Sequence, residues 1–243
     1  MADEMKRVSK YTDDVDELLK NEPDFSFGGG GEISRPDVSS AVIKRLPKYF
    51  RYLRQLIREG KTRVSSAELS KMMSLTASQI RQDLNCFGGF GQQGYGYNVN
   101  YLYSKICEIL GVSCGFRAAI VGTGNLGKAL VRNPMFEKRG VDVVALFDVD
   151  PEVVGTEIAG IEVYGMSQLE TKLNELGVDI AILTLPKEYA NEVLMRIATT
   201  RVKGIWNFTG KELDVSGSNI VVEDVHLGDS LMALCYEIAK NKN

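Results

Sequence analysis

Histidine is almost missing from this chain: His226 is the single one in 243 residues. The four cysteines, Cys86, Cys107, Cys114 and Cys235, show no C-x-x-C spacing. Without histidines to complete a ligand set, this spacing excludes the usual zinc sites, and no metal is expected. The thiols read as reduced side chains packed in a cytoplasmic protein. No apolar run approaches the roughly 18 residues a membrane helix needs, so no membrane partner is expected. The N-terminal stretch is acidic and has no apolar signal core, so nothing in it directs export.

The overall charge of −3 hides an uneven distribution. Residues 1–35 hold 5 basic and 9 acidic side chains, residues 36–112 hold 11 and 5, and residues 113–243 hold 13 and 18. A net +6 block therefore lies between blocks of −4 and −5. Such a block suits a segment that meets a polyanion. The first 35 residues are polar and contain Gly28-Gly29-Gly30-Gly31, and they read as a flexible acidic tail.

From about 37 to 59, Val42, Ile43, Leu46, Phe50, Leu53, Leu56 and Ile57 recur at helical spacing. Pro47 is expected to kink or split this helix. Ser65-Ser66-Ala67-Glu68 and Thr76-Ala77-Ser78-Gln79 are capping-box patterns, predicting short helices over 66–73 and 77–86. Two short helices joined by a tight turn behind a longer one make a helix-turn-helix. The glycine–aromatic segment from Phe87 to Val99 then predicts a β-hairpin, which in this position is a wing. Asn100 is expected to cap a connecting helix ending at Gly111.

Beyond 115 the pattern becomes strand–helix alternation, which implies a parallel sheet. Strands are expected at 117–122, 142–147, 179–185, 203–208 and near 219–223. Helices are expected at 125–132, 167–176, 187–199 and 229–240. The fold class is thus α/β: an N-terminal winged helix-turn-helix followed by a Rossmann-like doubly wound parallel sheet. The expected segments are 1–35 as tail, 36–112 as DNA-binding domain, 113–228 as dinucleotide-binding domain and 229–243 as a terminal helix. Leu231, Leu234, Cys235 and Ile238 give that last helix one apolar stripe. It suits packing either on its own sheet or on a partner subunit.

Two sets of residues carry chemistry. In a helix-turn-helix the second helix enters the major groove with its N-terminal residues at the base edges; here these are Ser78, Gln79, Arg81 and Gln82. Arginine matches guanine O6/N7, and glutamine matches adenine N6/N7. Arg63, Ser65 and Ser66, with Arg45, Lys48, Tyr49 and Arg51 on the supporting helix, are candidate phosphate contacts. Gln92 and Gln93 on the wing offer uncharged contacts. In the second half, the apolar run Ala118–Val121 ends in Gly122-Thr123-Gly124-Asn125-Leu126-Gly127. This is the strand–turn–helix fingerprint of a pyrophosphate site. Asp148, closing the next strand, suits the adenosine ribose and argues for NAD(H) over NADP(H). Thr184 and Asn207-Phe208 close later strands at the sheet edge where ligands sit; Phe208 reads equally as core packing. Fewer than 40 residues follow the fourth strand, which leaves no substrate domain to supply an acid or base. The chain is therefore read as no enzyme, and bound nucleotide as a signal. A nicotinamide-dependent oxidoreductase fused to a DNA-binding module, or a sensor of coenzyme A, are the alternatives.

The ordered motifs Arg45–Leu53, Arg63–Leu69, Thr76–Leu84, Phe87–Gly91, Gly96–Val99, Gly122–Gly127, Phe147–Pro151 and Asn207-Phe208 together resemble the Rex redox-sensing transcriptional repressors. The resemblance implies a bacterial homodimer bound to double-stranded operator DNA and released when NADH replaces NAD+. It also implies that the final helix is swapped between subunits. In some members the tyrosine corresponding to Tyr97 takes part in distinguishing the redox states, through an aspartate whose place His226 takes here.

Overall fold

In the computed structural model, residues 38–87, 91–92, 95–112 and 114–240 are described. The acidic tail expected at 1–35 lies outside the described residues. The chain divides into two compact units between Cys114 and Gly115.

The first unit opens with α1 (Ser40–Arg58), whose buried Val42, Leu46, Tyr49, Phe50, Leu53, Leu56 and Ile57 repeat at helical spacing. Pro47 lies inside α1 and does not split it. The proline is exposed on the outer face and so is Ile43, whose carbonyl loses its i+4 donor; water can satisfy that group there. After β1 (Arg63–Val64) comes α2 (Ser66–Met73). Its capping box is complete: the Ser65 hydroxyl accepts from the Glu68 N–H, and the Glu68 carboxylate accepts from the Ser65 N–H. Ser74 adopts a left-handed conformation (φ 53°) that stops α2. The next helix, α3 (Ala77–Asn85), is capped by the Thr76 hydroxyl. β2 (Gly91–Gln92) and β3 (Gly96–Asn98) pair antiparallel, and β1 joins them in the order β1-β3-β2. This places a wing directly after the helix-turn-helix. α4 (Val99–Leu110) begins two residues earlier than expected. Its cap is Asn98, which accepts from the Tyr101 N–H at 2.9 Å, and not Asn100. The Phe50 and Tyr103 rings stack at 5.2 Å and join α1 to α4.

The second unit is a seven-stranded sheet. Its strands are β4 (Phe116–Val121), β5 (Val141–Asp148), β6 (Glu157–Ile158), β7 (Ile161–Gly165), β8 (Ile180–Leu183), β9 (Gly204–Asn207) and β10 (Val221–Asp224). Their order is β10-β9-β8-β4-β5-β7-β6, parallel except for the β6–β7 hairpin. From β4 the chain builds outward first through β5 and β7, then through β8, β9 and β10. That is the doubly wound arrangement, with its reversal between β4 and β8. Alternate strand residues face opposite cores. Ala119, Val121, Phe147 and Leu183 meet the buried residues of α6 (Leu169–Glu175) and α7 (Ala190–Ile197). Ala118, Ile120, Leu146 and Ile182 face Phe136 and, on α5 (Asn125–Val131), Leu130 and Val131. The strands are apolar on both faces because helices cover both. The last helix, α8 (Leu227–Lys240), has no buried residue. Its apolar stripe therefore does not pack on its own sheet.

Candidate dinucleotide and DNA-binding sites

The three fingerprint glycines answer to different demands. Gly122 leaves β4 at φ +100°, and a Cβ there would lie 2.9 Å from the Thr184 carbonyl oxygen. At Gly127 a Cβ would lie 2.1 Å from the Gly122 carbonyl oxygen, so α5 can approach the strand only with glycine. Around Gly124, the N-cap of α5, a Cβ would meet nothing within 4 Å. The fold therefore demands glycine at 122 and 127, whereas the space at 124 is open for a ligand. A pyrophosphate against the backbone at the start of α5 fits that opening. Asn125 is exposed and Leu126 half-buried on the first turn.

Asp148 sits at the end of β5 beside this loop. Its Oδ2 accepts from the Thr123 N–H (2.6 Å) and the Thr123 hydroxyl (2.5 Å). Its Oδ1 accepts from the Val149 and Asp150 N–H groups at 2.8 and 3.0 Å. Burial pushes the carboxyl's pKa up, but the Thr123 hydroxyl and the three N–H donors outweigh it and hold the group below the usual range. A carboxylate has about four acceptor positions, so all are taken within the chain. The Thr123 hydroxyl is the donor that can rotate away to admit another. Thr184, after β8, donates its hydroxyl to the Gly122 carbonyl at 2.6 Å and so ties the glycine loop to the neighbouring strand.

Asn207 is 1% exposed, and its amide is consumed locally. Its Nδ2 donates to the Lys211 carbonyl and Asp224, and its Oδ1 accepts from the Thr209 N–H and hydroxyl. Asn207 therefore holds the loop after β9 and does not present its amide to a ligand. Phe208 is half-buried, edge-on to Trp206 at 4.6 Å. Tyr97 is 7% exposed, in the core of the first unit. Burial raises its pKa, and the nearby Arg81 charge offsets part of that.

On the DNA side, Ser78, Arg81 and Gln82 are exposed on α3. Arg81 Nη1 donates to the Ser66 hydroxyl of α2 at 3.2 Å. Gln79, at the start of the same helix, is turned inward and donates through Nε2 to Asp83 Oδ1 at 2.9 Å. Arg63 spans the wing: its guanidinium lies 5.9 Å from the Tyr95 ring centroid and donates to the Tyr95 carbonyl. Arg51 is exposed, stacked over Tyr52. Lys48 donates to the Met73 carbonyl at the end of α2. Gln93 and the side chain of Gln92 lie outside the described residues.

Two candidates on α1 turn inward. Tyr49 is 0% exposed and donates to Asp83 Oδ2 at 3.0 Å, so it is closed to a phosphate. Arg45 grips the same carboxylate in bidentate fashion, through Nε and Nη2 at 2.7 Å each. Asp83 itself is fully buried. Burial opposes its ionisation, but Arg45, Gln79 and Tyr49 together hold its pKa below the usual range. Sequence reasoning missed Asp83; the signal was its i+4 spacing from Gln79, which puts both on one face of α3. It also missed Val149, an 81% exposed aliphatic side chain next to Asp148.

Two family models match the chain, one for each unit. One, described as a putative DNA-binding protein N-terminus, matches residues 37–85, and a CoA binding domain matches residues 116–210. The redox-sensing transcriptional repressor Rex of Caldicellulosiruptor saccharolyticus is 48% identical over 204 residues, 84% of this chain and 93% of that protein. That of Clostridioides difficile is 45% identical over 86% of this chain and its own full length. Among solved structures, RSP in complex with β-NAD+ and operator DNA superposes with a TM-score of 0.79 at 44% identity, covering 84% of this chain and 94% of that one. RSP in complex with β-NADH gives 0.79 at 41%, covering 85% and 96%. With identity this high over most of both chains, on top of a winged helix-turn-helix and a Rossmann unit, this chain belongs to the Rex family of redox-sensing transcriptional repressors.

Proposed function

We propose that this protein represses transcription from operator DNA and reports the NADH/NAD+ ratio, releasing the operator when NADH is bound. The observation that carries this reading is the pairing, in one chain, of a winged helix-turn-helix with a glycine loop whose central position stands open to a pyrophosphate. RSP, which shares this fold across both units, is named as a complex with β-NAD+ and operator DNA in one structure and with β-NADH in another.

In this reading the pyrophosphate lies on the backbone at Gly124 and the first turn of α5, with Asn125 and Leu126 alongside. The adenosine ribose meets Asp148, taking the acceptor position that the Thr123 hydroxyl gives up, while Val149 lies under the adenine. A carboxylate at the ribose disfavours a phosphorylated one, so NAD(H) is preferred over NADP(H) and over coenzyme A, whose ribose carries a phosphate. Thr184 and Phe208 line the crevice beyond the β4–β8 reversal. Tyr97 is the first unit's candidate for the redox response. Nicotinamide carries redox chemistry elsewhere; here we read the nucleotide as a signal rather than a reagent.

The partner surfaces follow. In α3, Arg81 and Gln82 read bases, with Ser78 beside them; Ser66, Arg63 and Arg51 serve the phosphates. The Ser65 hydroxyl is instead spent in the capping box, where it donates to the Glu68 carboxylate at 2.9 Å. The exposed Leu231, Met232, Leu234, Tyr236 and Ile238 of α8 are covered by a second copy of the chain. The two recognition helices of that homodimer then address two half-sites of one operator. NADH acts only by binding one dimer conformation more tightly than the other.

The test is operator binding followed by fluorescence anisotropy at fixed salt, with NADH, NAD+ and coenzyme A each added alone. NADH weakens binding in this account, whereas NAD+ and coenzyme A do not. Equal affinity with and without NADH would falsify it.

A further inference from the structure

We infer that Ser66 is a positioning residue for base readout by Arg81, and that Gln79, although on the recognition helix, reads no base. The inference rests on α3 as the DNA-reading helix, and the controls below keep the two ideas apart.

The geometry of α1, α2 and α3 carries it. Asp83 is fully buried and receives four donors: Arg45 Nε and Nη2, the Tyr49 hydroxyl and Gln79 Nε2. A buried carboxylate stripped of one donor is costly, so Gln79 is held on the inner side of α3. Reading adenine needs the amide oxygen and nitrogen together in one plane against the base edge. One of the two Gln79 amide hydrogens is bonded to the buried Asp83, which holds the amide on the inner side of α3, where the pair does not face a base edge. Arg81, two residues on, faces the other way and is exposed. Its Nη1 donates to the Ser66 hydroxyl at 3.2 Å.

Ser66 is the first residue of α2, and the complete Ser65–Glu68 capping box beside it fixes its backbone. An arginine free to rotate loses side-chain entropy on docking with guanine; one already held by a fixed hydroxyl loses less. The same hydroxyl accepts from Arg81, which leaves its own hydrogen to donate to a phosphate. Ser66 thus links the positioning contact to the reading contact. Because serine is uncharged, its loss does not change how binding depends on salt.

The experiment measures affinity of the full-length protein for its operator and for a set of operators each changed at one base pair. Affinity ratios cancel contributions from phosphates and from overall stability. Thermal melts establish that each variant is folded. Arg81→Ala flattens the preference at one position per half-site by about tenfold or more. Ser66→Ala lowers the preference at that same position by about threefold with an unchanged salt slope, and Ser66→Thr, which keeps the hydroxyl, restores it. Gln79→Met lowers affinity for all operators in parallel and leaves every preference intact. The inference is overturned if Ser66→Ala leaves the ratios unchanged, or if Gln79→Met flattens the preference at a position of its own. Unchanged ratios in Arg81→Ala overturn it together with the assignment of α3 as the reading helix.

Discussion

Gly124 and Gly127 are three residues apart and differ in what an added methyl group meets. At 127 a Cβ would lie 2.1 Å from a backbone oxygen, whereas at 124 it enters open space at a φ of −64° that alanine adopts freely. Gly127→Ala is expected to cost about 3 kcal/mol of stability. Gly124→Ala is expected to leave stability within about 0.5 kcal/mol and to weaken NADH binding by about tenfold or more through the blocked backbone approach. Thermal melts and NADH titrations of the two variants check both halves. The glycine fingerprint was legible in the sequence because its spacing is the structural requirement itself. Arg45, Tyr49 and Asn207 were not. Each is a polar residue whose direction is set by a partner distant in the chain, Asp83 for the first two and Asp224 for the third. Residue type alone does not say whether such a group faces a ligand or a buried carboxylate.

Among the elements, the long apolar strands of the parallel sheet could be read from the sequence, and the β6–β7 hairpin could not. Ile158 pairs with Ile161 across a two-residue turn in which Ala159 and Gly160 both have positive φ, 55° and 76°. Such turns are usually announced by Asn-Gly or Asp-Gly; here an alanine takes the left-handed position, and the signal is missing. The two helices of one sheet face, α6 and α7, are clamped by Arg196, which donates to both oxygens of Glu170 at 2.5 and 2.6 Å and to the Met166 carbonyl. The Arg196 hydrogen bonds hold the Glu170 carboxyl down to about 2. Its folded value lies below its unfolded one, so its contribution is complete at neutral pH and is lost as pH falls from about 4.5 toward 2. Denaturant melts should therefore give Glu170→Gln a stability deficit at pH 7 that shrinks toward pH 2.5. A deficit independent of pH would remove the ion pair from the account.

The same scale holds α8. Leu231 and Leu234 are 60% and 55% exposed on a helix with no buried residue. An apolar stripe of this kind marks an interaction surface, which we assign to a second copy of the chain. Leu231→Asp with Leu234→Asp should convert a dimer to a monomer in sedimentation velocity while leaving the second unit's sheet folded. A dimer that persists in the double variant contradicts this role for α8.

At the scale of the whole molecule, the proposed operator and nucleotide sites fall on separate units joined in one chain. If they are coupled, the coupling is reciprocal: NADH lowers affinity for the operator by the same factor that the operator lowers affinity for NADH. The glycine fingerprint alone suggests hydride chemistry; the winged helix before it gives nucleotide binding a different use. Single substitutions should divide the two activities. Arg81→Ala weakens operator binding at unchanged NADH affinity, and Asp148→Ala weakens NADH binding at unchanged affinity of the nucleotide-free protein for DNA.

The central claim is tested most directly by titrating operator binding against NADH/NAD+ mixtures at constant total nucleotide and constant salt. The account predicts that operator occupancy falls as the NADH fraction rises, and that in Asp148→Ala the same fall appears only when the constant total is set higher. Occupancy that stays flat across all ratios, with NADH demonstrably bound, would contradict it.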